Sequence, residues 1–176
     1  MRVHHWILLV AAIPLVGCAI GVDTGDRAEE KTQHLTPERQ AAVEDAVRRF
    51  AASVAHDITQ EGPAAWRKEF SDSPSFFMAS EGKLVFPNRQ SAAQAIDNLV
   101  RTVKQIELSW GDDLRVDALT EDFAQVACSW HEVRVDTEGH RVDERGFFTG
   151  LAQMQNGQWQ FRNAHWSVVV PPAKVP

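Results

Sequence analysis

Two side chains in this sequence are well suited to moving a proton, His165 and Glu132, and each stands on an alternating stretch. From Gly157 to Ser167 the chain reads as a strand after the turn signal Gln155-Asn156-Gly157. Strict alternation puts Trp159, Phe161, Asn163, His165 and Ser167 on one face. Gln158, Gln160, Arg162, Ala164 and Trp166 then share the other. The first face starts apolar and turns polar, as expected for a strand that begins under a helix and ends at a pocket. A neutral imidazole there can serve as a general base or orient a ligand; the plainer alternative is a core histidine bonded to a neighbouring strand. Glu132 shares a face with Val126, Cys128 and Trp130. An acid closing an apolar face has a raised pKa unless it meets a partner. His165 is the expected partner, giving an acid–base pair at the pocket mouth; the plainer alternative leaves Glu132 beyond the covered part of the strand, in water.

Arg134, Asp57 and Asp117 are further polar candidates, with Asp57 closing a long helix near Trp66. Trp66, Phe77, Trp110 and Trp130 are the expected pocket walls and Ser167 a polar lining group. Aromatics at such spacings also build plain cores. Trp166 falls with Val168 and Val170 on the outer face, where an exposed indole points to a partner. No metal is expected, because His34, His56, His131, His140 and His165 lack ligand spacing and no Cys pair accompanies them. No cofactor is expected either: the sequence carries no Gly-rich phosphate loop and no nucleophile elbow.

The elements that must hold these groups follow from caps and periodicity. Thr36-Pro37-Glu38 starts a helix, and Val43, Val47, Phe50, Val54 and Ile58 run along one side of it until Gly62-Pro63. A short helix, Ala64 to Phe70, carries Trp66 and Phe70 at i and i+4. Ser75 to Ala79 and Lys83 to Phe86 make a hairpin about Glu81-Gly82. Ser91 is the expected cap of a third helix reaching about Lys104. Strands follow: Ile106 to Trp110, Leu114 to Leu119, Asp122 to Val135, Asp143 to Met154 and Trp159 to Val170. The inward face of the Asp143 strand is undecided, since Phe147 and Phe148 are both apolar. Helices first and antiparallel strands afterwards make an α+β domain with a curved meander sheet.

The sequence has 176 residues, enough for one domain with a sizeable core. It holds 6 Trp and 9 Phe but no Tyr, so its apolar surfaces are built with few phenolic hydroxyls. With 18 Lys and Arg against 24 Asp and Glu, net −6, it is a poor fit to nucleic acid. Cys128 lies in an apolar run and reads as a small buried hydrophobe.

The order of elements and several strings resemble the nuclear-transport-factor-2-like (NTF2-like) superfamily in its SnoaL-like branch. They are Glu61-Gly62-Pro63-Ala64-Ala65-Trp66, Phe76-Phe77-Met78-Ala79-Ser80-Glu81-Gly82, Ile106-Glu107-Leu108-Ser109-Trp110, Gly157-Gln158-Trp159 and His165-Trp166-Ser167. The match spans Thr36 to Val170 and is specific for fold rather than activity. It implies a cone, the cystatin-like α+β barrel: a curved antiparallel sheet wrapped round the long N-terminal helix, with an open end that holds small hydrophobic ligands. It also implies dimerisation through the outer sheet face. The superfamily's ketosteroid isomerases stabilise an oxyanion with a Tyr, which this chain lacks. Residues 1–18 resemble a bacterial lipoprotein signal, with Arg2, an apolar run from Trp6 to Val16, and Leu15-Val16-Gly17-Cys18. The run is shorter than the ~20 apolar residues that span a bilayer. A simple cleaved secretory signal is the alternative. The lipoprotein resemblance implies a signal over 1–17, lipidation at Cys18, and, with Ala19 following, the periplasmic side of the outer membrane. Residues 19–35 read as a polar tether and 171–176 as a Pro-rich tail.

Three functions compete. The first is a lipid-anchored binding module whose cone holds a small, mostly hydrophobic molecule. The second is an enzyme using Glu132 and His165 for proton abstraction, elimination or hydrolysis. The third is a homodimer or complex subunit acting through the outer face near Trp166.

Overall fold

The computed structural model describes residues 35–169. The expected signal, the lipidation site Cys18, most of the tether and the Pro-rich tail lie outside the described residues.

Helix α1 (Pro37–Glu61) begins as its sequence dictates. The Thr36 hydroxyl accepts the Arg39 N–H at 3.3 Å, and Pro37 fills the first turn. Gly62 ends it at φ 79°, donating its N–H to the Ile58 carbonyl at 3.0 Å. Val43, Val47, Phe50, Val54 and Ile58 are buried along one side. The short helix is shorter than expected: a single 3-10 turn at Pro63–Ala65 leads into α2 (Trp66–Glu69). Helix α3 (Arg89–Thr102) starts earlier than expected. Its cap is Asn88, whose Oδ1 accepts from Ser91 N at 2.9 Å, while Ser91 Oγ accepts from Asn88 N at 3.3 Å. Ser91 is therefore the returning half of a capping box, not the cap.

The strands are β1 (Phe77–Ser80), β2 (Lys83–Phe86), β3 (Val103–Trp110), β4 (Arg115–Ala118), β5 (Phe123–Asp136), β6 (Arg141–Gln155) and β7 (Gln158–Val168). They form one sheet in the order β2-β1-β7-β6-β5-β3, with β4 also on β5. The expected curved sheet is present but is mixed rather than wholly antiparallel, because β1 runs parallel to β7. The chain between β1 and β7 holds α3 and the strands β2 to β6, which lets a parallel neighbour be reached. Strands β3 and β4 are successive halves of one edge along β5, joined at Gly111-Asp112-Asp113. At that joint the Ser129 N–H and hydroxyl both donate to Asp113 Oδ1 at 2.9 Å.

Helix α1 lies on the concave side. Phe50 meets Phe161 with ring centroids 4.9 Å apart, and the Trp110 indole N–H donates to the Ala51 carbonyl at 2.7 Å. Thr59 Oγ1 both receives the Leu108 N–H (3.1 Å) and donates to the Leu108 carbonyl (3.3 Å), tying the helix to β3. Strand β6 resolves its own ambiguity: Phe148 is buried and Phe147 is exposed. Cys128 is buried, and burial pushes its thiol up to about 12.

Strand β7 departs from strict alternation. Its register on β6 pairs Leu151 with Asn163 but Ala152 with Phe161, so Arg162 is an extra residue. Trp159 and Phe161 stay on the concave side before this bulge. After it the parity flips: Ala164, Trp166 and Val168 turn inward while His165 and Ser167 turn outward.

Candidate functional site

A cavity of about 260 Å3 opens between the concave sheet face, α2 and α3. One wall is an arc of aromatic rings. Trp66 stacks on Phe70 with centroids 5.2 Å apart, and Trp66 and Trp166 lie 6.3 Å apart. Trp166 stacks on Phe148 at 6.3 Å, and Phe148 meets Trp110 at 5.2 Å. Helix α3 supplies an aliphatic wall through Ala95, Ile96 and Leu99. These residues point together because α3 presents Ile96 and Leu99 at i and i+3. Strands β3, β5 and β6 present Trp110, Trp130 and Gly146 in one cross-strand row. Gly146 is required there: a Cβ on it would stand 1.7 Å from the Ser167 carbonyl and 2.9 Å from Trp130 Nε1. The missing side chain leaves room for the Trp130 indole, whose N–H meets no partner among the described residues.

The polar end of the cavity is one row further along. Glu132 pairs across strands with Leu108 on one side and Glu144 on the other. Arg134 bonds both acids: its Nε lies 3.0 Å from Glu132 Oε1, and its other arm reaches Glu144 Oε2. All three line the cavity. The Glu132 side chain is only 16% exposed. Burial pushes its pKa up, the Arg134 guanidinium pulls the other way, and the Glu144 carboxylate adds to the rise; the outcome is a raised value.

The expected pocket residues divide. Trp66, Trp110 and Trp130 line the cavity, as does Glu132. His165 does not. It is exposed on the opposite face and paired in register with Thr149, whereas Glu132 faces Glu144. The Glu132–His165 pair is therefore not formed, because the Arg162 bulge reverses the strand between Phe161 and His165. Ser167 is displaced outward by the same reversal, and its hydroxyl approaches the Phe147 carbonyl at 3.5 Å. Trp166 makes the opposite correction: expected on the outer face, it lines the cavity, which removes the motive for a partner surface built on it. Phe77, expected as a wall, is 45% exposed; its neighbours Phe76 and Met78 are buried instead, and nothing in the unbroken apolar run Phe76-Phe77-Met78 marks the parity.

Asp57 belongs to a surface cluster instead. Lys68 Nζ lies 2.7 Å from both Asp57 Oδ2 and Glu61 Oε1, and His56 Nδ1 lies 3.1 Å from Asp57 Oδ1. The Lys68 hydrogen bond, helped by His56, holds Asp57 below the usual carboxylate range. Asp117 is exposed on β4. At the β5–β6 turn, Asp136, Glu138 and His140 converge with ligand atoms within 4.8 Å of one another, a grouping the spacing argument did not anticipate. There Asp136 Oδ1 accepts the N–H groups of Glu138 and His140 and closes the turn. A second buried acid is Glu69 on α2, which burial, reinforced by the Asp57 charge, pushes up to about 7 against the opposing Lys68.

Of the lining groups, Glu144, Phe86 and Leu99 were not expected at the pocket from the sequence, and Trp166 was expected on the outer face. Glu144 was findable. It sits an even number of residues before Phe148, so choosing Phe148 as the inward phenylalanine brings Glu144 with it.

The architecture matches solved structures over 74% to 80% of the chain. An NTF2-like superfamily protein from Salmonella enterica superposes with a TM-score of 0.63 at 14% identity, covering 76% of this chain and 96% of that one. The chain has the NTF2-like fold. A conserved protein from Planctomyces limnophilus matches with a TM-score of 0.59 at 18% identity, covering 74% of this chain and 98% of that one. The hexachlorocyclohexane dehydrochlorinase LinA-type3 from Novosphingobium barchaimii matches with a TM-score of 0.59 at 13% identity, covering 80% and 97%. No family model matches the sequence, and no curated protein does so either. At these identities the likeness establishes the NTF2-like fold, as the sequence resemblance implied, and leaves activity to the site itself.

Proposed function

We propose that this NTF2-like domain binds a small, largely apolar molecule between α3 and the concave sheet face. One observation carries the reading: a 260 Å3 cavity walled by Trp66, Trp110, Phe148 and Trp166, with its charged groups gathered at one end. A cavity of about 150 Å3 accepts benzene, so this one has room for roughly one to two rings. An apolar wall with a few convergent polar groups is the usual build of a small-molecule site. A dehydrochlorinase of the same fold, named for hexachlorocyclohexane, has a compact apolar substrate in its name. The test is a titration with ring compounds, read by tryptophan fluorescence and by thermal shift. Saturable binding that Leu99→Trp abolishes is the expected result. Absence of binding by any ring compound overturns the reading.

A second reading rests on Glu132 alone, without His165. A carboxylate with a raised pKa at an apolar wall is placed to take a proton from a bound substrate. It requires that Glu132→Gln abolish turnover while an uncharged ring compound still binds.

We further propose that the domain works from the envelope, held to the outer membrane through lipid on Cys18. The apolar run and Leu15-Val16-Gly17-Cys18 support this. No helix among the described residues is long and apolar enough to cross a membrane. Mass spectrometry of the N-terminus tests it: a diacylglyceryl adduct on Cys18 is expected, and an unmodified or differently cleaved N-terminus overturns it.

A further inference from the structure

The polar end of the cavity holds an excess of negative charge. Glu132 and Glu144 are direct cross-strand partners, and both line the cavity. Like charges placed opposite one another disfavour the sheet. Arg134 answers this by bonding both acids. With both acids ionised, one guanidinium between two carboxylates leaves one negative charge. Two of the three Arg134 nitrogens, Nε and Nη2, are bonded to those acids, so a ligand anion approaching the guanidinium would meet two carboxylates beside it. A neutral ligand would leave the excess unanswered in a poorly solvated wall.

The surrounding surface makes the same demand by different physics. Trp130 is two residues before Glu132 on the same strand face, and Trp110 is its cross-strand neighbour. Trp66, Trp166 and Phe148 continue the arc. The face of an aromatic ring is its negative part, and it attracts a compact cation most strongly where water is excluded. Four indoles and a net negative charge on one small cavity therefore suit the same chemical group.

We propose that the ligand of this cavity is an organic cation: an ammonium group, primary to quaternary, on a small apolar body. Glu132 and Glu144 supply the charge that selects it, and Trp130 and Trp110 supply the ring faces beside them. The inference rests on the small-molecule reading above and narrows it to one class.

The deciding experiment compares two probes of nearly equal shape, benzyltrimethylammonium and its uncharged carbon analogue neopentylbenzene. Each is titrated into the full chain and followed by tryptophan fluorescence and calorimetry. The expected result is at least tenfold tighter binding of the cation. Glu132→Gln and, separately, Glu144→Gln should each weaken the cation about tenfold and move the neutral probe less than twofold. Glu144 is the more exposed acid, so its variant is the safer of the two for folding, and circular dichroism reports whether either has lost structure. Equal affinity for the two probes, or tighter binding of neopentylbenzene, overturns the cation inference and leaves the apolar-pocket reading standing. Failure of both probes to bind overturns the two together.

Discussion

Glu132 and Glu69 are both carboxylates drawn out of water, but they meet different company. Glu132 stands at a cavity with Arg134 at 3.0 Å and a second acid across the strand. Glu69 is 5% exposed on a four-residue helix, with Asp57 and Glu61 raising its pKa and Lys68, engaged by those same two acids, only partly opposing. Burial disfavours the ionised form of both. At Glu132 a guanidinium keeps a charged group tolerable beside an apolar wall. At Glu69 no cation is bonded to the carboxylate among the described residues, and its titration moves to about 7. The difference teaches that a buried acid marks a candidate site only when the surrounding geometry opens toward a ligand. Glu69 has the larger perturbation and no place among the groups that line the cavity.

The comparison is broken most forcefully by removing the guanidinium. Arg134→Met leaves Glu132 and Glu144 facing each other without a shared cation. Taking one partner from a buried pair costs about 3–5 kcal/mol; with Arg134 and Glu144 near one-third exposed, a loss of about 3 kcal/mol is expected at pH 7.5. Urea unfolding at pH 7.5 and at pH 5 checks it. The loss should shrink at pH 5, because burial raises the Glu132 pKa and its protonation on acidification relieves the repulsion.

Glu69→Gln should act in the opposite direction. The unfolded carboxyl releases its proton near pH 4.5, the folded one near 7. Folded Glu69 therefore costs nothing below pH 4.5, costs progressively more as pH rises, and costs the full amount above 7. A shift of that size is worth about 3 kcal/mol at 1.36 kcal/mol per pH unit, with the opposing pull of Lys68 already within it. The variant should be more stable than the natural chain by that amount at pH 8 and no more stable at pH 4, measured by paired denaturation curves.

A smaller effect on stability sharpens the cavity side of the comparison. Leu99→Trp, on the half-buried α3 wall, should change stability by less than about 1 kcal/mol, because the larger side chain enters empty space rather than a packed core. Ring-compound binding should fall beyond detection in the same fluorescence titration. The smallest effect is expected at His165→Ala. An exposed outer-face side chain away from the cavity should alter stability by no more than about 0.5 kcal/mol and leave ligand affinity unchanged. A large loss of affinity in this variant would put the imidazole back in the site.

Much of the scaffold was legible because local rules set it. The α1 stripe, its Thr36 cap and its Gly62 end are statements about 3.6-residue periodicity and orphaned N–H groups, and they need no tertiary knowledge. The same holds for Glu132, Trp130 and Cys128, whose shared face follows from the period of two on an unbulged strand. Asn88 was missed as the α3 cap because Asn88 and Ser91 are both competent caps, and only the reciprocal pair of bonds tells them apart.

By itself the sequence determined an α+β chain with a long amphipathic helix, a late run of long strands and an aromatic-rich interior, because burial patterns are written in each segment's own spacing. Only the tertiary structure decided which residues of β7 look inward. The extra residue at Arg162 is set by how β7 must bend along β6, and one inserted residue exchanges the two faces of everything after it. That exchange carried His165 out to solvent, turned Ser167 to the outer face and brought Trp166 into the cavity, and no spacing within the strand announces it.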